Sequence, residues 1–364
     1  MGRRHGAVED LGMSPGFWDG RRVFVTGHTG FKGSWLSLWL CSAGAKVHGF
    51  ALAPPTEPSL FDVAGVGAGL ASHTVADIRD AEVLRRALAA AQPEIVFHLA
   101  AQPLVRQSYV DPVETYAVNV LGTVHLLEAV RACASVRAVV NVTTDKCYDN
   151  PEHARAFCET DALGGHDPYS SSKACSELVT AAYRDSFLAV SGVAVATARA
   201  GNVIGGGDWA ADRLLPDFFR ACDQGRTTAV RHPDAVRPWQ HVLEPLAGYL
   251  LLAQRLVEQG QAAAGAWNFG PAEDDAKPVR WVLDHLAARL PGSRWQAEPG
   301  PQVHEAQHLA LDSAKARAQL GWAPVWGLTT ALDRTVEWHD AWRARRDMRA
   351  LCLAQIDARQ QAGA

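Results

Sequence analysis

From Arg21 onward, short runs of β-branched and other apolar residues alternate with longer stretches whose apolar positions recur every three or four residues. An unbroken apolar run or a period of two suits a strand, and a period near 3.6 suits a helix with one buried face. On that basis strands are predicted at residues 22–26, 46–52, 95–99, 138–142 and 193–198, with helices between them that include 81–91 and 113–133. Such alternation predicts an α/β fold of Rossmann type, a doubly wound parallel sheet with both faces covered.

After Gly201 the rhythm changes. Gly205, Gly206 and Gly207 sit together, and Arg237-Pro238-Trp239 and Trp322-Ala323-Pro324 are irregular segments. Residues 241–259 read as a helix and 265–269 as a strand, so the chain is expected to return to the first sheet before leaving it. The tail at 329–361 reads as helical and highly charged. The expected organisation is an N-terminal arm at 1–16, a dinucleotide-binding domain at 17–201 to which 238–270 return, and a smaller substrate-binding region at 202–237 and 271–364.

Composition narrows the classes. At 364 residues and 48% apolar, the chain is long enough for one large nucleotide-binding domain with a smaller partner. The 35 basic and 39 acidic residues nearly balance, which gives no electrostatic reason to expect nucleic acid or a membrane surface. Seven cysteines occur without CxxC or CxxH pairs, so neither a disulfide framework nor a metal site is expected. No apolar run reaches the roughly 20 residues that would span a bilayer, and the first residues do not resemble a secretory signal. A cytoplasmic protein is expected.

The run Val23-Phe24-Val25-Thr26-Gly27-His28-Thr29-Gly30-Phe31-Lys32-Gly33 places three glycines at spacing three between a strand and the apolar run 35–40. Gly27 permits the tight turn, Gly30 lets backbone approach a pyrophosphate, and Gly33 lets helix and strand pack closely. Thr29, Phe31 and Lys32 lie on the same turn, whose helix N-terminus favours phosphate charge. The second strand ends Phe50-Ala51-Leu52-Ala53-Pro54-Pro55, with neither the acidic residue expected for an adenosine ribose nor an arginine for a 2′-phosphate. The missing arginine favours NAD over NADP. Asp77, beside Ile78, is placed to reach the adenine or to cap the next helix, and Asp80 reads as a cap. Leu99, Ala100 and Ala101 end a strand in small residues that suit a passing cofactor. His98 reads equally well as a packed or a catalytic histidine.

Tyr169-Ser170-Ser171-Ser172-Lys173 opens a helical run, and a spacing of four puts phenol and ammonium on one face. The ammonium is expected to stabilise phenolate, lowering the Tyr169 pKa toward a value usable in general base catalysis. The strand at 138–142 delivers Thr143-Thr144-Asp145-Lys146 at its C-terminal end, the edge of a parallel sheet where active sites gather.

Together the glycine turn, Thr144 and Tyr169-xxx-Lys173 resemble the extended short-chain dehydrogenase/reductase family. Within it, Thr144-Asp145-Lys146 is similar to the nucleotide-sugar 4,6-dehydratase signature, in the Asp-Lys form of the enzymes that act on CDP-glucose, not the Asp-Glu form of those acting on dTDP-glucose. Long stretches around residues 27–40, 98–109, 141–148, 162–173, 199–216 and 237–245 share the likeness, so it spans nearly the whole chain. The resemblance implies that Tyr169 takes the proton of the sugar 4-hydroxyl while Thr144 holds that oxygen. It further implies that Lys146, neutral, removes the C5 proton and that Asp145, protonated, gives a proton to the departing 6-hydroxyl. Lys173 supports Tyr169, Thr143 joins the cofactor site, and NAD is a catalytic cofactor.

On the substrate side the resemblance points to Asn202 near the pyrophosphate, to Arg237 as a phosphate partner and to the loop 205–215, with Arg213 and Leu214, around the nucleotide. Gln102 and Ser108, with Tyr109 beside them, fall in a segment similar to the family's active-site loop. Helical surfaces within 113–133 and 169–189 would pair subunits into a homodimer or homotetramer. Two other readings stay open: a nucleotide-sugar 4-epimerase, which needs no acid and base at C5 and C6, and a non-catalytic protein that senses NAD on the same fold.

Overall fold

A computed structural model of the chain describes residues 14, 16–151, 155–298 and 309–363. The arm expected at 1–16 lies, apart from Ser14 and Gly16, outside the described residues.

Seven parallel strands form the central sheet: β1 (Arg22–Thr26), β2 (Lys46–Ala51), β3 (Ser72–Val75), β4 (Ile95–His98), β5 (Ala138–Val142), β6 (Ala194–Ala200) and β7 (Gly265–Phe269), in the order β7-β6-β5-β4-β1-β2-β3. The order reverses between β1 and β4, and there a crevice opens at the carboxyl ends of the strands. Five strands fall where the apolar runs predict them, within two residues, and β7 pairs with β6 over Gly265↔Ala196 to Phe269↔Ala200. The seventh, β3, was not expected. Ser72 and His73 are polar and exposed, so this edge strand lacks the apolar run that marks the buried ones.

Helices cover both faces. On one side α1 (Phe31–Ser42) packs Trp35, Leu36 and Trp39 against Val23, Val25, Phe97 and Val140 of the sheet. On the other, α2 (Ala81–Ala91) and α3 (Gly122–Arg131) cover Phe24, Phe50, Val96 and Val139. The helix expected over 113–133 is interrupted: Pro112–Tyr116 is α-helical, Ala117–Leu121 is a π stretch, and α3 follows. Next come α4 (Pro168–Tyr183), α5 (Leu214–Asp223) and α6 (Leu243–Gln259), the last lying under β5 and β6.

The smaller region has its own core, in which Phe218 of α5 meets Val282 and Leu286 of α7 (Val279–Arg289) and Leu332 of α8 (Leu328–Arg343). Paired short strands, Thr227–Val230 with Arg294–Ala297 and Val236–Pro238 with Ala276–Pro278, stiffen it. The tail is two helices, because Arg345 takes a left-handed φ of 53° between α8 and α9 (Met348–Ala362). Its last part turns back to the large layer: Cys352 and Ile356 of α9 join Trp35, Trp39 and Trp338 in one core. Buried Glu244 of α6 fixes this return by accepting hydrogen bonds from the backbone of Val325 and Trp326 and from Arg359 of α9.

Candidate active site

Between the two regions lies a cleft of about 1330 Å³. Its floor begins where β1 ends. Gly27 has a left-handed φ of 75°, and its N–H donates to the Phe50 carbonyl at 2.8 Å. A Cβ at Gly27 would lie 2.7 Å from the Ala100 nitrogen, and one at Gly33 would lie 2.1 Å from the Gly27 carbonyl oxygen, so no side chain fits at either. Gly30 is the N-cap of α1 and makes no side-chain cap bond. The first amides of α1 are therefore left to an anion.

Thr29, Phe31, Lys32, Asp77, Ile78, Leu99, Ala100, Ala101 and Thr143 all line the cleft. The Thr29 hydroxyl donates to the Leu52 carbonyl at 2.9 Å, tying the turn to the end of β2. The Asp77 carboxylate takes hydrogen bonds from Arg79 at 2.6 to 3.0 Å, which hold its pKa below the usual range. Capping of α2 falls to Asp80, which accepts from the Val83 N–H. Burial pushes Lys32 down to about 7, aided by Arg213 and Lys173 and opposed by Asp145. This glycine-and-helix cradle fits a dinucleotide, and the end of β2 offers no cation for a 2′-phosphate.

The groups expected to react come from two elements. After β5, Thr144 caps a single 3-10 turn, accepting from the Lys146 N–H at 3.3 Å and donating to Asp145 Oδ1 at 3.1 Å. Asp145 is 1% exposed, its Oδ2 has no hydrogen-bond partner, and burial raises its pKa against the pull of Lys146. Facing this turn, α4 starts at Pro168 with Asp167 as its cap, accepting from the Ser170 N–H at 2.9 Å. Tyr169 and Lys173 follow one turn apart. Lys173 Nζ donates to the Val142 carbonyl at 3.2 Å, and burial pushes its pKa down to about 8 while Glu177 opposes.

The Tyr169 pKa departs from expectation. Burial pushes the phenol up to about 12, with the Thr144 hydroxyl pulling the other way. Desolvation of the phenolate is the largest influence, and the Lys173 ammonium is turned toward the Val142 carbonyl. The positive charge of an oxidised nicotinamide bound beside it would favour the phenolate.

Thr144, Asp145, Lys146, Tyr169 and Lys173 all line the same cleft, and so do Asn202, Arg213, Leu214 and Arg237. Arg213 is held by Asp208 at 2.9 Å, and Arg237 is buried with Nη1 donating to the Val236 carbonyl at 3.0 Å. Two expected substrate residues do not line it. Ser108 is buried and donates to the Val105 carbonyl at 2.6 Å, while Gln102 accepts from the Leu104 N–H and donates to Thr115. Both side chains brace the loop that carries Arg106 and Tyr109, which do line the cleft. His98 is a packed residue: its ring nitrogens meet Thr26 at 2.7 Å and Thr123 at 3.1 Å, and burial pushes it down to about 3.

Trp209, from the expected loop 205–215, lines the cleft, and so do Arg231 and His232, which sequence reasoning missed. Their signal was weak: Arg231 and His232 follow a four-residue strand with no recognisable motif. It also missed Glu177, enclosed beneath the cleft on α4.

Residues 24–335 match the GDP-mannose 4,6-dehydratase family. A CDP-glucose 4,6-dehydratase of Salmonella typhimurium is 53% identical over 338 residues, covering 91% of this chain and 94% of its own. Among solved structures, the UDP-glucose 4-epimerase of Thermus thermophilus in complex with NAD superposes with a TM-score of 0.76 at 28% identity, covering 88% of this chain and 99% of its own. A dTDP-glucose 4,6-dehydratase from Streptomyces venezuelae with NAD bound gives 0.73 at 26%, with 90% and 99% covered.

Proposed function

The chain belongs to the GDP-mannose 4,6-dehydratase family, a branch of the extended short-chain dehydrogenases/reductases, and from that membership we propose that it is an NAD-dependent hydro-lyase converting CDP-glucose to CDP-4-keto-6-deoxyglucose and water. The observation that carries this reading is the Asp145-Lys146 pair, set beside Thr144 and facing Tyr169 at the mouth of a dinucleotide cradle.

The turn from Gly27 to Gly33 and the head of α1 would hold NAD, which when bound would supply reversible hydride acceptance. The chain's residues manage the protons. Tyr169 takes the proton of the 4-hydroxyl, with the Thr144 hydroxyl beside it to hold the oxygen and Lys173 below to balance the charge. A ketone at C4 acidifies the C5 hydrogen, which Lys146 removes. Asp145, whose pKa burial raises, gives its proton to the 6-hydroxyl, which leaves as water. Lys146 then returns a proton to C5. Arg237 and Arg213 suit the pyrophosphate, because a guanidinium fork donates two bonds at once, and Asn202 adds a neutral donor.

The same cradle, threonine and tyrosine would serve a 4-epimerase, the activity of the Thermus relative. An epimerase has no use for a buried acid aimed at C6, and Asp145 with its unpaired Oδ2 favours the dehydratase. A non-catalytic NAD sensor has no need to keep all five reacting groups in one cleft.

We place a second subunit on the apolar face formed by Val113, Tyr116, Leu121 and Leu178, all exposed, making a homodimer or a dimer of dimers. The seven free cysteines suit a reducing compartment such as the cytoplasm. No helix among the described residues is long and apolar enough to cross a membrane.

Purified protein given NAD and CDP-glucose deuterated at C4 should yield a product lighter by one water with the deuterium on the new methyl group. An epimer with the 6-hydroxyl intact, or deuterium lost to solvent, would overturn the proposal. Parallel reactions with dTDP-, UDP- and GDP-sugars test the nucleotide.

A further inference from the structure

The proposed chemistry uses Tyr169 and Lys173 of α4 but leaves out the next ionisable group on the same face, Glu177, four residues beyond Lys173. It is 4% exposed. Oε1 accepts from the Thr143 hydroxyl at 2.5 Å, and Oε2 accepts from the Thr197 hydroxyl and from Arg199 Nη2, both at 2.7 Å. Arg199 is equally enclosed, lies over the Tyr148 ring and donates to the Tyr148 hydroxyl at 2.8 Å. That hydroxyl in turn donates to Asn268 Oδ1 of β7 at 2.7 Å. A buried charge needs such partners. Their location is informative, because Thr143 is the residue directly before Thr144-Asp145-Lys146, and its backbone N–H is already fixed to the Ala198 carbonyl at 2.9 Å.

Glu177 also faces Lys173. The other ionisable groups around that ammonium are Tyr169 on the same helix, Cys147 from the turn after β5, Lys32 from α1 and His98 at the end of β4. Burial raises the Cys147 thiol well above its ordinary value and lowers His98 to about 3, so both are neutral at working pH. Tyr169, pushed up to about 12, is neutral in the resting site as well. Glu177 supplies the standing negative charge.

We propose that Glu177 is a positioning residue of the dehydratase: its carboxylate fixes Thr143, and with it the Thr144-Asp145-Lys146 turn, and keeps Lys173 in the cationic form that supports Tyr169. The inference rests on the function proposed above. One carboxylate thereby couples the oxidation half of the site on α4 to the elimination half on the turn after β5. Burial works against a charged Lys173, and an opposite charge one helical turn away works for it.

Glu177→Gln keeps the shape and removes the charge. Because it leaves Arg199 buried and unpaired, the folded companion is the double variant Glu177→Gln with Arg199→Met, which removes both charges. Lys173 is followed directly by NMR of 13Cε-lysine in the free protein, assigned through Lys173→Met. Its titration is expected to move down by about one pH unit in the double variant. The alkaline limb of kcat should move with it, so that above the limb kcat falls about tenfold while the KM for CDP-glucose holds. Thr143→Val, which keeps Glu177 charged, should lower kcat about tenfold at all pH values and leave the Lys173 titration in place. An unmoved Lys173 titration in the double variant overturns the electrostatic role, and an unchanged kcat in Thr143→Val overturns the positioning role. If the wild-type protein dehydrates no nucleotide sugar, the function proposed above fails, and the NMR titration still decides whether Glu177 sets the charge of Lys173.

Discussion

Asp145 is enclosed, keeps one oxygen without a partner and is held protonated to higher pH by its surroundings. Such a group suits proton donation and burdens the fold. With its folded-state pKa above the unfolded value, it favours the folded protein at pH below the ordinary carboxylate range, and that contribution is lost as pH rises through the raised value. Asparagine keeps the shape and cannot ionise. Asp145→Asn is therefore expected to melt at a higher temperature than the wild type at neutral pH and to lose kcat by roughly 10²- to 10⁴-fold. Because Lys146 is untouched, the C5 hydrogen should still exchange with D2O while water loss stops. A variant that still dehydrates at the wild-type rate would remove Asp145 from the acid role. That Thr144, Asp145, Lys146, Tyr169 and Lys173 belong to one candidate site could be read from residue type and spacing, and they do line one cleft. The direction of the Tyr169 shift could not be read, since desolvation depends on what covers the ring and no spacing encodes that.

At the scale of elements, the glycine turn is held by main-chain contacts. A methyl group at Gly33 would overlap the Gly27 carbonyl at 2.1 Å, so Gly33→Ala must push α1 off β1. The expected cost is about 1–3 kcal/mol of stability, with NAD binding weakened at least tenfold, read by thermal melting and by cofactor titration. Wild-type NAD affinity in that variant would mean that α1 does not set the cradle. The buried strands and most helix positions could be read from periodicity, because a sheet covered on both faces makes its strands apolar throughout. Three features resisted. β3 is an exposed edge strand, the π stretch at Ala117–Leu121 keeps a helical pattern while shifting its register, and the break at Arg345 falls inside a run of helix-forming residues. Gln102 and Ser108 lie on a loop that borders the cleft, but whether a side chain faces a cleft or its own backbone is decided by a rotation that sequence does not display.

For the molecule as a whole, Val113 is 77% exposed, Leu121 53% and Leu178 58% on neighbouring helices, an apolar face that water covers poorly. If two copies join there, Leu178→Glu should halve the sedimenting mass, since it places a charge in the middle of the contact. A wild-type protein that sediments as a single chain at micromolar concentration would rule that arrangement out. α4 carries Leu178 on its outer side and Tyr169, Lys173 and Glu177 on its inner side, so the subunit contact and the site would share one rigid rod.

The seating of α9 beside α1 has a consequence for biosynthesis. Roughly 300 residues separate Trp35 and Trp39 from Cys352 and Ile356, which share their core. At about 5–20 residues per second on the ribosome, that tryptophan-bearing surface stays incompletely clothed for about 15–60 s, an interval in which a holding chaperone would find it.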